Sequence, residues 1–206
     1  MFWSLLTNPN EFFRSRVERA GLLRPALVVA VVGAIGALAG ALYVQKVQAS
    51  LPSEAQAVGP ILLATTVLGG FLGSFVRWLV ATVVFYLVSM VFDAQGEFAT
   101  LLSFVGWGFV PSILATAVSA VVAFLVFSSV TFPTDPQQIQ AFTRELRTRP
   151  EFLVSSLLGV LFLLWSALLW VFAVKHGRDV TEREAVVTVA IPVAIGLVWR
   201  LFGVVT

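Results

Sequence analysis

The sequence predicts an all-helical (all-α), polytopic membrane protein with five transmembrane helices, and three observations support this class. Hydrophobic residues make up 59% of the 206 residues, and charged residues only 12%. A soluble domain carries about a quarter charged residues, so this chain lacks the polar surface that a water-soluble globule needs. The mean hydropathy is +0.96, and the apolar residues are gathered into long runs.

A helix needs about 20 apolar residues to cross the hydrocarbon core of a bilayer. Five runs reach this length and divide the chain into an N-terminal segment, residues 1–24, and a transmembrane domain, residues 25–206. The second and third runs are longer than required, so each is expected to tilt, break or extend beyond the bilayer. The predicted spans are residues 25–44, 61–92, 100–129, 152–174 and 185–205.

Lys and Arg in the short connections predict the orientation, because they accumulate on the cytoplasmic side. Seven lie in the N-terminal segment and between spans four and five, against four on the other side. The sequence therefore predicts a multi-pass protein of the cell membrane, with a cytoplasmic N-terminus and an outside C-terminus. The net charge of +2 is too small and scattered to indicate nucleic acid, and the lack of Cys excludes disulfides.

The N-terminal segment predicts an amphipathic helix over residues 9–20, with Asn8 as N-cap and Glu11 reaching back to it. Phe12 and Phe13 lie on its apolar side. We therefore expect an interfacial helix anchored by these two rings in the acyl boundary, with its arginines near anionic headgroups. A second helix start, at Asp135, predicts a polar helix whose apolar side faces the lipid or the bundle.

Two acids, Asp93 and Glu97, occupy a polar gap between the second and third spans, which is predicted to form a tight turn eased by Gly96. Either they cap the third span, because negative charge is favourable near a helix N-terminus, or they pair with the basic loop between spans four and five. The second alternative predicts a cytoplasmic partner or ligand site, which would also include Lys175, Arg178 and Arg183.

Arg77 is the costliest residue in the predicted spans, because no acid lies within them to pair with it. In one continuous helix Arg77 would lie near the bilayer centre and line a polar cavity or an ion pathway. If the crossing instead begins near Gly73, Arg77 reaches the outer interface and can snorkel there. Arg200, near the outer end of the last span, can do the same.

Small residues and prolines within the spans predict close helix packing and kinks. The glycines of the first two spans form small faces that serve packing within the monomer or contact in a homo-oligomer. The predicted packing residues are Gly36, Gly40, Gly69, Gly73, Gly106, Gly108 and Pro111.

No stretch has the pattern of a catalytic, metal or cofactor site. His176 is the lone histidine, and the chain has no P-loop and no HExxH pattern. We therefore predict a non-enzymatic protein without metal or cofactor.

The stretch GEFATLLSFVGWGFVP, residues 96–111, reads Gly-x-Phe-x-x-Leu-Leu, then a Gly-aromatic pair, then Pro. In this pattern the chain resembles the Yip family (Ypt-interacting proteins), and NPNEFF, residues 8–13, is similar to the Pro-x-x-Phe-Phe start of prokaryotic members. The resemblance implies five spans with a cytoplasmic N-terminus. Eukaryotic members bind prenylated Ypt/Rab GTPases and act in vesicle traffic between the ER and the Golgi. They also carry a long cytoplasmic N-terminal region, whereas only 24 residues precede the first predicted span here.

The resemblance implies a non-enzymatic, Yip-type integral membrane protein that organises membrane lipids or partner proteins, in a membrane-shaping or trafficking-like role. Its expected partners are the lipid bilayer, other membrane proteins and, more weakly, a small GTPase. The alternative is a small transporter or channel subunit with a polar cavity near Arg77.

The predicted topology can be checked directly with reporter fusions at Phe13 and Thr206. We expect the two reporters to lie on opposite sides of the membrane, because of the Lys and Arg distribution. Reporters on the same side would contradict both the orientation and an odd number of spans.

Overall fold

The computed structural model describes the backbone of residues 2–205 and the side chains of residues 3–54, 56–135 and 137–198. The described chain folds into α-helices and two short 3-10 turns, with no strand in this part. The helices are α1 (Phe2–Thr7), α2 (Pro9–Arg14), α3 (Leu23–Ser50), α4 (Ser53–Gln56), α5 (Gly59–Ser89), α6 (Phe98–Trp107), α7 (Val110–Ser129), α8 (Pro136–Arg147), α9 (Pro150–Gly177) and α10 (Glu182–Val205).

Four helices are long and apolar enough to cross a membrane: α3, α5 with the 3-10 turn that continues it to Phe92, α7 and α9. A shorter apolar helix, α6, precedes α7. The all-helical, membrane-protein fold is thereby confirmed. The fifth predicted span corresponds to α10, and the total of five crossings stays a prediction.

The third predicted span is interrupted, because α6 ends at Trp107 and α7 begins at Val110. Pro111 lies in the first turn of α7, where its missing N–H costs no helical hydrogen bond. Two indole N–H groups from neighbouring helices donate to carbonyls of α6: Trp78 to Leu102 at 2.8 Å and Trp170 to Val105 at 3.0 Å. The predicted kink at Pro111 is thus a two-residue interruption at Gly108 and Phe109, both of which keep right-handed helical backbone angles.

The second predicted span is one continuous helix, so a break of the helix near Gly73 is wrong. A membrane crossing that begins near Gly73 stays a prediction. The helix runs antiparallel to α3, as two close approaches indicate. A side chain at Gly33 would lie 2.9 Å from the carbonyl oxygen of Phe71, and one at Gly40 would lie 2.8 Å from the methyl of Thr66. These glycines allow the two backbones to approach closely.

The predicted packing glycines differ in their surroundings. Gly40, Gly106 and Gly108 pack tightly, and a side chain at Gly106 would lie 2.6 Å from Cβ of Pro25. Open space surrounds Gly36, Gly69 and Gly73, so their predicted role in close packing within the monomer is wrong. Spacing along one helix indicates a small face but not which glycine lies opposite a neighbouring backbone.

The N-terminal segment is not the single helix predicted over residues 9–20. Asn8 caps α2 as predicted, since its side chain accepts from the N–H of Glu11 at 3.2 Å. The carboxylate of Glu11 pairs with Arg14 instead of reaching back. After Arg14 the hydroxyl of Ser15 and the guanidinium of Arg16 both donate to the carbonyl of Phe12, which competes with helix continuation. The chain then makes a 3-10 turn, Val17–Arg19.

The opposite end of the bundle has its own small apolar cluster, and α8 covers it. Asp135 caps α8 as predicted, accepting from the N–H of Gln137 at 2.9 Å. The apolar side of α8 faces the bundle, where Leu146 is buried and Phe142 packs against Phe132.

The glycine positions of α3 generate a matched pair of substitutions. We expect Gly33→Ala to lower the free energy of unfolding by about 1–3 kcal/mol, because the new methyl group overlaps α5. Gly36→Ala, with open space around it, should leave stability unchanged or raise it by up to about 1 kcal/mol through helix propensity. Thermal unfolding of both variants in an uncharged detergent measures the difference, and equal melting temperatures would contradict the close α3–α5 contact.

Candidate functional site

Three irregular segments, residues 15–22, 93–97 and 178–181, lie at the end of the bundle that carries the N-terminal segment, called the N-terminal end below, and one arginine joins two of them. Arg178, at the end of α9, is 2% exposed. Its Nε donates to the hydroxyl of Ser89 at 3.0 Å, its Nη2 to the carbonyl of Ala94 at 2.8 Å, and its Nη1 to the carbonyl of Gly96. The guanidinium carbon lies 4.0 Å from the centre of the Tyr86 ring. Hydrogen bonds and a cation–π contact therefore hold this buried charge.

The same two segments are also joined through their backbones. The N–H groups of Gln95 and Gly96 lie 3.1 and 3.4 Å from the carbonyl oxygen of Arg178, to which they donate. A side chain at Gly96 would overlap the carbonyl of Gly177, so this glycine is required for close approach. The left-handed residue of the turn is Asp93, with φ of 53°. The tight turn is confirmed, but Gly96 does not serve it through an unusual backbone angle.

The predicted ion pairs between the acidic turn and the basic loop are wrong. Arg178 does contact the turn, but through neutral carbonyl oxygens. Lys175 pairs with Glu182 at 2.8 Å, and Arg183 is exposed. Within the described residues neither Asp93 nor Glu97 forms an ion pair.

The alternative role, helix capping, also receives no support from side-chain contacts. Glu97 occupies the N-cap position of α6, but its side chain makes no capping hydrogen bond. Both Asp93 and Glu97 are exposed. Arg178 thus holds a turn whose carboxylates have no hydrogen-bonding role in the described part of the molecule.

The anchor residues of the N-terminal segment lie within the protein. Phe12 and Phe13 are 1% and 0% exposed, and their rings contact Trp107 and Phe104 of α6 at centroid distances of 5.4 and 5.1 Å. His176 of α9 adds a 2.7 Å hydrogen bond to Asn10. The prediction that these rings anchor the segment in lipid is therefore wrong: they attach it to the bundle.

A cavity of about 550 Å³ lies between the N-terminal segment, the start of α3 and α6. Arg16, Arg19 and Arg24 line it together with Phe104 and Trp107 of α6. Partial burial, and then the positive charge of Arg24, lower the pKa of Arg16 below its usual value. Sequence reasoning missed this site, although four arginines between residues 14 and 24 were a signal for it.

Arg77 lies midway along α5 and lines a smaller cavity of about 190 Å³, together with Gly36, Gly73 and Thr116. Its guanidinium carbon is 5.0 Å from the ring centre of Phe109, at the break between α6 and α7. The side chain of Arg200 lies outside the described residues. No group of three or more potential metal ligands occurs in the described part of the chain.

The long apolar helices and the polar segments at their ends define a multi-pass membrane protein. The Yip1 domain family model matches residues 3–202, and the protein belongs to this family, which confirms the resemblance found in the sequence. The chain is 28% identical over 120 residues to an uncharacterised protein of the archaeon Methanocaldococcus jannaschii, a region that covers 58% of this chain and 85% of that protein. No solved structure matches the chain.

The contacts of Arg178 predict an unequal effect of two neighbouring substitutions. Arg178→Gln removes donors from buried acceptors and should lower the free energy of unfolding by about 3 kcal/mol. Arg183→Gln, at an exposed position with the same charge change, should shift it by less than about 0.5 kcal/mol. Thermal unfolding in detergent is the measurement. Equally small losses would mean that Arg178 does not hold the two segments together.

Proposed function

We propose that this Yip-family protein is a non-enzymatic membrane scaffold, which organises partner proteins or lipids at the N-terminal end of its bundle, on the cytoplasmic side. The observation that supports it most directly is the exposed acidic turn at residues 93–97, held in place by buried Arg178. A turn that is held rigidly loses little conformational entropy when a partner binds, and this favours affinity.

The acids of this turn suit recognition better than stability. Exposed charges contribute about 0–1 kcal/mol to folding, and Asp93 and Glu97 have no ion pair within the described residues. They are therefore available to steer a partner that carries a basic surface. Glu97 is the stronger candidate contact, because it lies within the stretch that carries the family pattern and directly precedes α6.

A transporter or channel subunit is the second candidate function, and the cavity beside Arg77 is the observation that favours it. Its volume of about 190 Å³ is smaller than the roughly 300 Å³ at which small-molecule sites begin. Solute flux through proteoliposomes that is lost in Arg77→Gln would support this second candidate and contradict the scaffold.

The scaffold proposal is tested with a photo-reactive amino acid at Gln95, an exposed position between the two acids. We expect one discrete cross-linked protein in intact cells, and we expect Glu97→Gln to reduce its yield without changing the melting temperature. Glu54→Gln, an exposed acid at the opposite end, is the matched control and should leave the yield unchanged. A cross-link that survives Glu97→Gln, or is lost equally in the control, would exclude recognition through this acid.

A further inference from the structure

The arginine cavity, defined as the 550 Å³ cavity lined by Arg16, Arg19, Arg24, Ser103, Phe104 and Trp107, has the properties of a site for an amphiphilic anion. Its volume falls within the range of about 300–1,000 Å³ typical of ligand pockets in proteins. None of the described residues that line it is acidic. Three positive charges therefore share one concave site without a carboxylate in its wall.

Arg16 is held in a defined position from which it can bind an anion. Its guanidinium carbon lies 3.8 Å from the ring centre of Phe12, and its Nη1 donates to the carbonyl of Phe12 at 2.8 Å. Its other hydrogen bond, to Ser15, also uses Nη1, so Nε and Nη2 make no hydrogen bond to any described residue. A guanidinium presents five N–H donors in a planar fork that matches the oxygens of a phosphate.

Repulsion within the cluster also favours an anion. Partial burial, and then the positive charge of Arg24, lower the pKa of Arg16, and both arginines line the cavity. A bound phosphate would neutralise this repulsion and replace the water lost by burial. Arg19, on the exposed 3-10 turn, makes no side-chain hydrogen bond within the described residues and can close on the same anion.

The cavity continues into an apolar surface of α3. Leu23, which lines the cavity, is 75% exposed, and Leu27 and Val31 are 57% and 45% exposed. These residues are four apart, so they follow one side of the helix from the cavity along the bundle. A soluble phosphate compound has no apolar part to contact this surface, whereas the acyl or isoprenoid chain of a lipid would cover it.

We infer that the arginine cavity binds the phosphate of an anionic phospholipid, whose chain lies along Leu23, Leu27 and Val31. The inference deepens the lipid half of the proposed function and rests on it. The partner half is tested separately by cross-linking at Gln95, so the two can fail independently. An anionic lipid, more than a zwitterionic one, complements a wall whose described residues include three arginines and no acid.

The test uses the full-length protein purified in an uncharged detergent and titrated with phosphatidylglycerol or phosphatidylcholine, with bound lipid counted by native mass spectrometry. We expect preferential binding of phosphatidylglycerol, and we expect the double variant Arg19→Gln/Arg24→Gln to weaken it about tenfold. The matched control, Arg144→Gln/Arg147→Gln, removes two exposed charges at the opposite end and should change the affinity by about twofold or less.

A second variant guards against loss of folding. Arg19→Glu changes one exposed residue and should weaken phosphatidylglycerol binding while the melting temperature of the lipid-free protein stays unchanged. Equal affinity for the two lipids, equal losses in the cavity and control variants, or full binding by Arg19→Glu would each overturn the inference. So would competition by inorganic phosphate or glycerol phosphate at concentrations equal to those of the lipid, because the site would then be one for a soluble anion.

Discussion

The rest of the structure depends on the short helix α6, which ends inside an apolar bundle. A helix that stops there leaves backbone groups without partners, and lipid cannot supply them. The N–H of Gly108 donates to the carbonyls of Phe104 and Val105. The indole of Trp170 donates to the same carbonyl of Val105, and the indole of Trp78 donates to that of Leu102. These hydrogen bonds connect α5 and α9 to α6 beside the interruption.

Small residues allow α3, α5 and α9 to approach α6 closely, and aromatic rings pack around the same helix. Gly106 lies where Pro25 of α3 and Trp78 of α5 approach α6, and Gly177 of α9 lies against Leu101. Phe12 and Phe13 attach the N-terminal segment to Trp107 and Phe104 of the same helix, and Ser103 donates to the carbonyl of Gly21. The two candidate surfaces follow from this packing: the acidic turn precedes α6, and residues of α6 form one wall of the arginine cavity.

Sequence reasoning succeeded for most features with local determinants, although the helix predicted over residues 9–20 ends at Arg14. The caps at Asn8 and Asp135, the turn at residues 93–97 and the apolar length of the helices follow from neighbours in the sequence. Sequence reasoning failed where a contact depends on a residue that lies far away in the sequence. Phe12 and Phe13 are equally suited to lipid and to a protein core, because both are apolar, and only the position of α6 decides between them.

The same limit explains why the ion pairs predicted for the basic loop are wrong. Opposite charges suggested that Arg178 would pair with Asp93 or Glu97, but a tight turn also presents carbonyl oxygens close to its backbone, and Arg178 donates to those of Ala94 and Gly96. The guanidinium of Arg178 has several N–H donors in one plane, so it can donate to both carbonyl oxygens at once.

The positions of the charged residues at the N-terminal end say more about possible binding surfaces than the net charge of +2 does. Arg178 donates to carbonyls, and the carboxylates of Asp93 and Glu97 lie exposed without an ion pair to any described residue. Because Phe12 and Phe13 attach the N-terminal segment to α6, Arg16, Arg19 and Arg24 are gathered around one cavity and not spread along the membrane surface. Opposite charges are thereby separated onto two surfaces that share α6, one suited to a basic partner and one to an anionic lipid. The short helix α6, to which two tryptophans donate hydrogen bonds, thus lies between an acidic surface and a basic one in a chain with little net charge.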